Sequence, residues 1–328
     1  MRSTVAPVTY RAFDPPRDYP AAAALVSAAN VDDGIDWLPT SQVLEHAFGS
    51  SATFTPAVDA RVAEVEARMA GLLTADWRQR GEKVVHELEL WVHPDDRLSG
   101  IGNDLVAWGE AHEAGRVAAG AGGPSGLRHE IGFGGVDATA NSDLAVRRGY
   151  RAVRYFIEMR RRVDGHVPDA PLPEGLEVRP VRPEDHRRIW DADVDAFRDH
   201  WEASERSETD FASWFSRPHL DTTLWQVAWD GGEVAGSVMT SVDPDENARL
   251  GVRRAWLDHI SVRRPWRQRG LAAALIGATL DLLLERGLDE AGLGVDAENP
   301  SGALRLYERM GFEQVRTGIV YRKELPLD

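Results

Sequence analysis

The clearest apolar pattern in the chain lies near its C-terminal end. Ile276, Leu280, Leu283 and Leu284 recur at i, i+4, i+7 and i+8, which predicts an amphipathic helix, and Gly287 supplies a credible stop. Before it, the alternating run Trp256 to Val262 predicts a strand. Further upstream, Leu224 to Trp229 and Glu233 to Thr240 flank Asp230-Gly-Gly232, a favoured tight turn, and predict a hairpin. Leu293 to Ala297 predicts a short strand, Ser301 to Met310 a helix ended by Gly311, and Phe312 onward an extended segment.

The same order occurs earlier in the chain. Tyr10-Arg-Ala-Phe13 matches Val178-Arg-Pro-Val181, and Met69 to Thr74 parallels Val234 to Met239. Val92-His-Pro-Asp-Asp-Arg97-Leu-Ser-Gly100-Ile-Gly102 echoes Val262-Arg-Arg-Pro-Trp-Arg267-Gln-Arg-Gly270-Leu-Ala272. Each copy closes on a glycine–aromatic pair, Gly149-Tyr150 and Gly311-Phe312. Collinear matches at four places indicate duplication. Between the copies, Asp164 to Gly175 carries three prolines and two glycines and reads as a linker. The expected division is therefore 1–163, a linker 164–175, and 176–328. The first copy is less regular, because Ala118 to Gly126 interrupts it with a glycine-rich loop.

A length of 328 residues suits two domains. The net charge of −15 argues against nucleic acid as a partner. Arg263, Arg264, Arg267 and Arg269 form a basic knot within this acidic chain and are expected to meet a phosphate. Without cysteine there is neither a disulfide nor a thiol nucleophile. No apolar run has the length to cross a bilayer, and the start Met1 to Pro7 lacks a signal-peptide block, so a cytoplasmic enzyme with no membrane partner is expected. Histidine spacing gives no metal constellation, and oligomeric state is not legible.

Both valine-to-glycine segments end a strand and open a helix through small residues. Such a junction leaves several backbone N–H groups unpaired at the positive end of a helix dipole, a site for phosphate oxygens. The Arg-x-x-Gly-x-Gly/Ala pattern resembles the pyrophosphate signature of the GCN5-related N-acetyltransferase (GNAT) superfamily. A second signature, Asn299-x3-Ala303-x3-Tyr307-x3-Gly311-Phe312, places Ala303 and Tyr307 on one helical face. The resemblance implies an α/β fold with a mixed α+β sheet, two tandem acyl-CoA N-acyltransferase domains, and acetyl-coenzyme A as cofactor. It implies coenzyme contacts from Ile260, Ser261, Val262, Arg267, Gln268, Arg269, Gly270, Leu271, Ala272, Ala273, Asn299, Ala303 and Tyr307. Val92, Arg97, Leu98, Ser99, Gly100, Ile101 and Gly102 are the corresponding positions of the first copy.

In this family the tyrosine lies near the thioester sulfur, so Tyr307 is expected to assist the departing thiolate. A base on the strand before the phosphate loop is also implied. Alternation puts Trp256, Asp258, Ile260 and Val262 on one face and Leu257, His259 and Ser261 on the other; the resemblance implies a basic group at an even step before the valine, which favours Asp258. A bulge would reverse the parity and bring in His259. In the first copy Ala145 stands where Tyr307 stands, and Leu88 where Asp258 stands. That copy is expected to be a scaffold or a silent coenzyme site. The acceptor is a small-molecule or peptide amine; the alternative is a non-catalytic acetyl-coenzyme A sensor or interaction protein. Phe197 to Trp201, Phe211 and Trp214 occupy the stretch where this fold builds its acceptor pocket, although helix core and solvated face explain them as well.

Overall fold

The computed structural model describes residues 7–166, 168, 170–203, 205–299 and 301–327. Met1 to Ala6, and the linker positions Val167 and Asp169, lie outside the described residues. The first copy contains β1 (Val8–Ala12), α1 (Tyr19–Asp32), α2 (Ser41–Gly49), α3 (Pro56–Asp59), β2 (Ala60–Val65) and β3 (Arg68–Arg80). It continues with β4 (Lys83–Val92), α4 (Ile101–Ala118), β5 (Arg128–Val136), α5 (Ala140–Arg147) and β6 (Arg151–Arg162). The second contains β7 (Glu177–Arg179), α6 (His186–Ala196), α7 (Glu208–Phe215), β8 (Gln226–Asp230), β9 (Glu233–Ser241) and α8 (Pro244–Leu250). Then follow β10 (Arg254–Val262), α9 (Leu271–Glu285), β11 (Glu290–Asp296), α10 (Ala303–Arg309) and β12 (Glu313–Glu324).

Two compact units result. One comprises 1–154, 207–218 and 318–328; the other comprises 155–206 and 219–317. These limits differ from the division at 163 and 176, because each unit takes its last strand from the other copy. In the first unit the order is β1-β2-β3-β4-β5, completed by the end of β12, whose Gly318–Glu324 pair antiparallel with β5. In the second the order is β6-β11-β10-β9-β8-β7, and Phe156–Arg162 of β6 pair antiparallel with β11. One parallel pair sits inside each mixed sheet, β4 with β5 and β10 with β11. A parallel pair needs a crossover, which α4 and α9 provide.

The helix expected around Ile276 is α9. It buries Leu271, Leu275, Ile276, Leu280 and Leu283 against Ala255, Leu257, Leu293 and Val295, while Leu284 is 44% exposed and lies off the core stripe. Gly287, at φ 74°, closes the helix with its N–H on the Leu284 carbonyl. The β8–β9 hairpin turns through Gly231 at φ 56°. In the first unit α4 packs Ile101, Leu105 and Val106 on Leu73, Leu88 and Leu90. Among the described residues no helix is long and apolar enough to cross a membrane.

The first core also contains a polar chain. His86, on β4, sets Nδ1 2.5 Å from Glu113 of α4 and Nε2 3.0 Å from Nδ1 of His129. His86 and Glu113 are fully buried. The His86–His129 contact survives only while one of the facing nitrogens lacks a proton. Burial, reinforced by His86, holds the His129 imidazole below its ordinary value. The unfolded chain therefore binds that proton more readily, so stability is complete above the ordinary histidine range and is lost as pH falls below about 6.5. We expect the melting temperature to fall from pH 7 to pH 5, and His129→Gln to make that slope shallower. A calorimetric pH series on both proteins checks this.

Candidate active site

The parallel pair β10–β11 is short. Only Arg254–Trp256 are in register with Glu290–Gly292, whereas on its other side β10 pairs with β9 as far as Val262↔Gly236. Beyond Trp256 the register with β11 ends, while the pairing with β9 continues. Asp258 has no register partner, because Leu257 pairs with Thr240 and His259 with Met239, adjacent residues of β9. This bulge reverses the alternation. Leu257, Ile260 and Val262 now share the α9-facing core, and His259 and Ser261 share the opposite face. The grouping of Asp258 with Ile260 and Val262 is thereby corrected. The Asp258 carboxylate is exposed and accepts from the Ser241 hydroxyl at 3.0 Å.

His259 faces α6. On that helix Ile189, Trp190, Asp193 and Ala196 are buried. Nδ1 of His259 lies 2.8 Å from Asp193 Oδ2, and Arg206 Nη1 donates to the same oxygen at 2.9 Å. The Asp193 side chain is fully buried, which alone would raise its carboxyl, but His259 and Arg206 hold it below the usual carboxylate range. A carboxylate on Nδ1 fixes the tautomer and leaves Nε2 as a proton acceptor. The Phe197 ring lies tilted against those of His259 and His200, with centroids 5.1 Å and 4.3 Å away. Asp193 was not legible in the sequence. Of the other aromatics, Trp201 belongs to the second unit, whereas Phe211 and Trp214 lie on α7 within the first.

At the end of β10 the chain enters the loop that opens α9. Gln268 at φ 61° and Gly270 at φ 85° are both left-handed and bracket Arg269. Such alternation turns successive amides to one side, an anion-binding concavity. Among the described residues, none of the N–H groups from Gln268 through Leu271 and Ala272 to Ala273 donates to the protein. Three arginines of the basic knot are occupied. Arg263 pairs with Asp195 and Glu233, and Arg264 with Asp199. Arg267 pairs with Asp199 and donates to the Ala196 and Val262 carbonyls, so it clamps the loop to the end of α6. The expectation that the whole knot faces phosphate is corrected; Arg269 makes no ion pair among the described residues. The amide cluster thus fits the oxygens of a diphosphate.

The helix α10 packs its Tyr307 into the core of the same unit. Tyr307 is 7% exposed, edge-on to Phe312 at 6.2 Å, and burial pushes its hydroxyl up to about 12. Asn299 accepts from the Ser301 N–H at 2.9 Å and shapes the turn into the helix, which begins with Ala303. Elsewhere in this unit, exposed His219 and Asp245 and the half-buried Asp243 have ligand atoms within 4.8 Å of one another, but Asp243 is engaged in capping α8.

The first unit repeats the frame with different chemistry. β4 and β5 are in register only to Leu88↔Phe133, so their ends also part. Arg97 clamps its loop to α1 through Asp32, Asp33 and the Ala29 carbonyl. Here, however, Ser99 N–H donates to the Asp96 carbonyl and Ile101 N–H to the Ser99 hydroxyl. Leu98 projects fully exposed, and Gly100 and Gly102 line a cavity of about 700 Å³ with Val92. Ala145 is buried and offers no hydroxyl. β4 has no bulge, so Thr74↔Glu89 answers to Met239↔His259. Glu89, not Leu88, therefore occupies the place of the second unit's His259. The signal was present: both residues stand three before the valine.

Comparison with known proteins agrees with this geometry. Residues 186–312 match the model of the acetyltransferase (GNAT) family. A mycothiol acetyltransferase of Salinispora arenicola is 32% identical over 240 residues, covering 72% of each chain. One from Geodermatophilus obscurus is 29% identical and covers 94% of this chain and 95% of its own. A GCN5-related N-acetyltransferase structure from Sphaerobacter thermophilus superimposes with a TM-score of 0.71 at 27% identity, covering 97% and 96% of the chains. A tandem GNAT protein from the clavulanic acid biosynthesis pathway shares the fold, with a TM-score of 0.68 at 16% identity and 98% and 99% coverage.

Removing the buried carboxylate tests the histidine's support. Asp193→Asn should cost about 2 kcal/mol in stability, because the half-buried Arg206 loses its buried counter-charge, and denaturant titration measures the loss.

Proposed function

The chain belongs to the acetyltransferase (GNAT) family and is an N-acetyltransferase, and from that premise we propose that its C-terminal copy performs the transfer, from acetyl-coenzyme A to a primary amine by direct attack. The observation that carries this reading is the conjunction, in one unit, of the parting of β10 from β11 after Trp256, the unpaired amides of Gln268–Ala273 and the Asp193–His259 pair. When bound, acetyl-coenzyme A supplies a thioester carbonyl open to nucleophilic attack. The family model's span of 186–312 lies within this copy.

The residues act in order. A primary amine has an ordinary pKa of about 10.4 and must lose a proton before its nitrogen can attack. We assign that proton to Nε2 of His259, with Asp193 holding the imidazole and stabilising its charged form. Asp258, exposed and turned to Ser241, is left outside the proton path. As the carbon–nitrogen bond forms and the carbon–sulfur bond breaks, the charge on sulfur needs a donor, and Tyr307 stays protonated throughout the neutral range. Full transfer from a hydroxyl at about 12 to a thiolate of ordinary pKa about 8.5 is uphill by roughly 5 kcal/mol. Tyr307 therefore acts as a hydrogen-bond donor to the leaving group, which solvent then protonates. Phe197 and His200 form the wall past which the amine approaches.

Steady-state kinetics on an amine panel separates these roles. His259→Gln should lower kcat by about 10²–10⁴-fold, and Tyr307→Phe by at most about 100-fold, since it removes one hydrogen bond. Asp258→Asn should remain within about twofold of the parent. Gly270→Val, forced into φ 85° at the amide cluster, should sharply weaken acetyl-coenzyme A binding in calorimetry. Full activity in His259→Gln would return the base to Asp258 or to water.

A further inference from the structure

We propose that the cleft of the first unit is a binding site for a small primary amine, whose ammonium group is held by the Glu89 carboxylate, and that this cleft does not take the coenzyme. The cavity, about 700 Å³, is enclosed by α1, the end of β4, the loop before α4 and α5, and Glu89 lines it. That volume suits a small molecule and gives its apolar body contact with Ile35, Trp91 and Leu144.

The charge in the cleft favours a cation. Among the described residues no lysine, arginine or histidine pairs with Glu89. From β3, Thr74 offers it a hydroxyl and Asp76 a second negative charge, and Glu87 on its own strand adds a third. The cations that line the cleft are directed elsewhere: Arg97 is held by Asp32 and Asp33, and Arg148 by Glu110 and Asn103. Arg147, exposed on α5, is the exception at the rim. The Glu89 side chain is exposed within the cleft, and the dense protein atoms around it, then Glu87 and Asp76, still push its carboxyl up, whereas an ammonium group beside it would favour its charged form.

The features a coenzyme needs are filled here. Two loop amides, of Ser99 and Ile101, already have acceptors. The Leu90 carbonyl on the open edge of β4 accepts from the Asn141 amide at 3.1 Å, where a pantetheine arm would have to pair. Ala145 gives no hydroxyl for a leaving thiolate. What remains is a pocket that recognises an amine without transferring anything to it.

The test uses the full chain, with benzylamine as probe, benzyl alcohol as its neutral counterpart, and coenzyme A as the competing occupant. Crystals soaked with benzylamine should place its nitrogen against Glu89. In calorimetry, affinity at this site should rise from pH 6 to pH 8 as Glu89 ionises, benzyl alcohol should bind at least about tenfold more weakly, and Glu89→Gln should lose a similar factor. Equal binding of benzyl alcohol, unchanged affinity in the folded Glu89→Gln protein, or coenzyme A in the cleft would each overturn the proposal. The alcohol comparison needs no variant, so it stands even if Glu89→Gln fails to fold. None of these readouts involves acetyl transfer, so they are independent of the role assigned to the C-terminal copy.

Discussion

Two neighbouring parallel strands that pair for a few residues and then separate are the constraint on which the candidate site depends. A strand edge inside a protein cannot leave its peptide groups unsatisfied without cost, so a parting of strands demands water, a side chain or a ligand. In the second unit the register of β10 with β11 ends at Trp256↔Gly292. In the first, the Asn141 side chain reaches the Leu90 carbonyl, beyond the end of the β4–β5 register. One backbone frame has thereby acquired two different chemistries through a handful of side chains.

The loop shows the same divergence at the level of dihedral angles. Arg267 and Arg97 do equivalent mechanical work, tying the loop to the last turn of α6 and of α1. Their neighbours differ. Gln268 accepts a left-handed conformation that an L side chain adopts only at a cost of roughly 1 kcal/mol, and the amides around it stay open. Ser99 instead folds its hydroxyl and N–H back onto Asp96, a relaxed turn with fewer free donors. Strain is kept where an anion can use it.

Much of this was legible from residue order. The strand–loop–helix at Val262 to Ala272, the α9 stripe, the hairpin and the duplication all follow from local pattern and turn chemistry. What could not be read depends on register or on distant contacts. Counting by twos along Trp256–Val262 pointed to Asp258, and one unpaired residue shifted the count to His259. Asp193 lies 66 residues away from its histidine, and no periodicity announces such a pairing. Glu89 was overlooked because the first copy was compared at the position of Asp258, four before the valine, and not at that of His259. The basic knot was read as free charge, whereas the acidic residues that neutralise it lie far away in sequence.

The exchange of final strands has a consequence for dissection of the molecule. Severing the chain in the proline-rich stretch at 164–175 would appear to yield two tidy modules. Each piece would instead retain a strand that belongs against its counterpart and lack the one its own sheet requires. The N-terminal fragment would bare β5 where Gly318–Glu324 had lain, and the C-terminal fragment would bare β11 where Phe156–Arg162 had lain. Naked edges of this kind invite intermolecular β-pairing. Duplication has here produced halves that are mutually obligate, and a faithful single module would have to be assembled by circular rearrangement of the gene rather than by truncation.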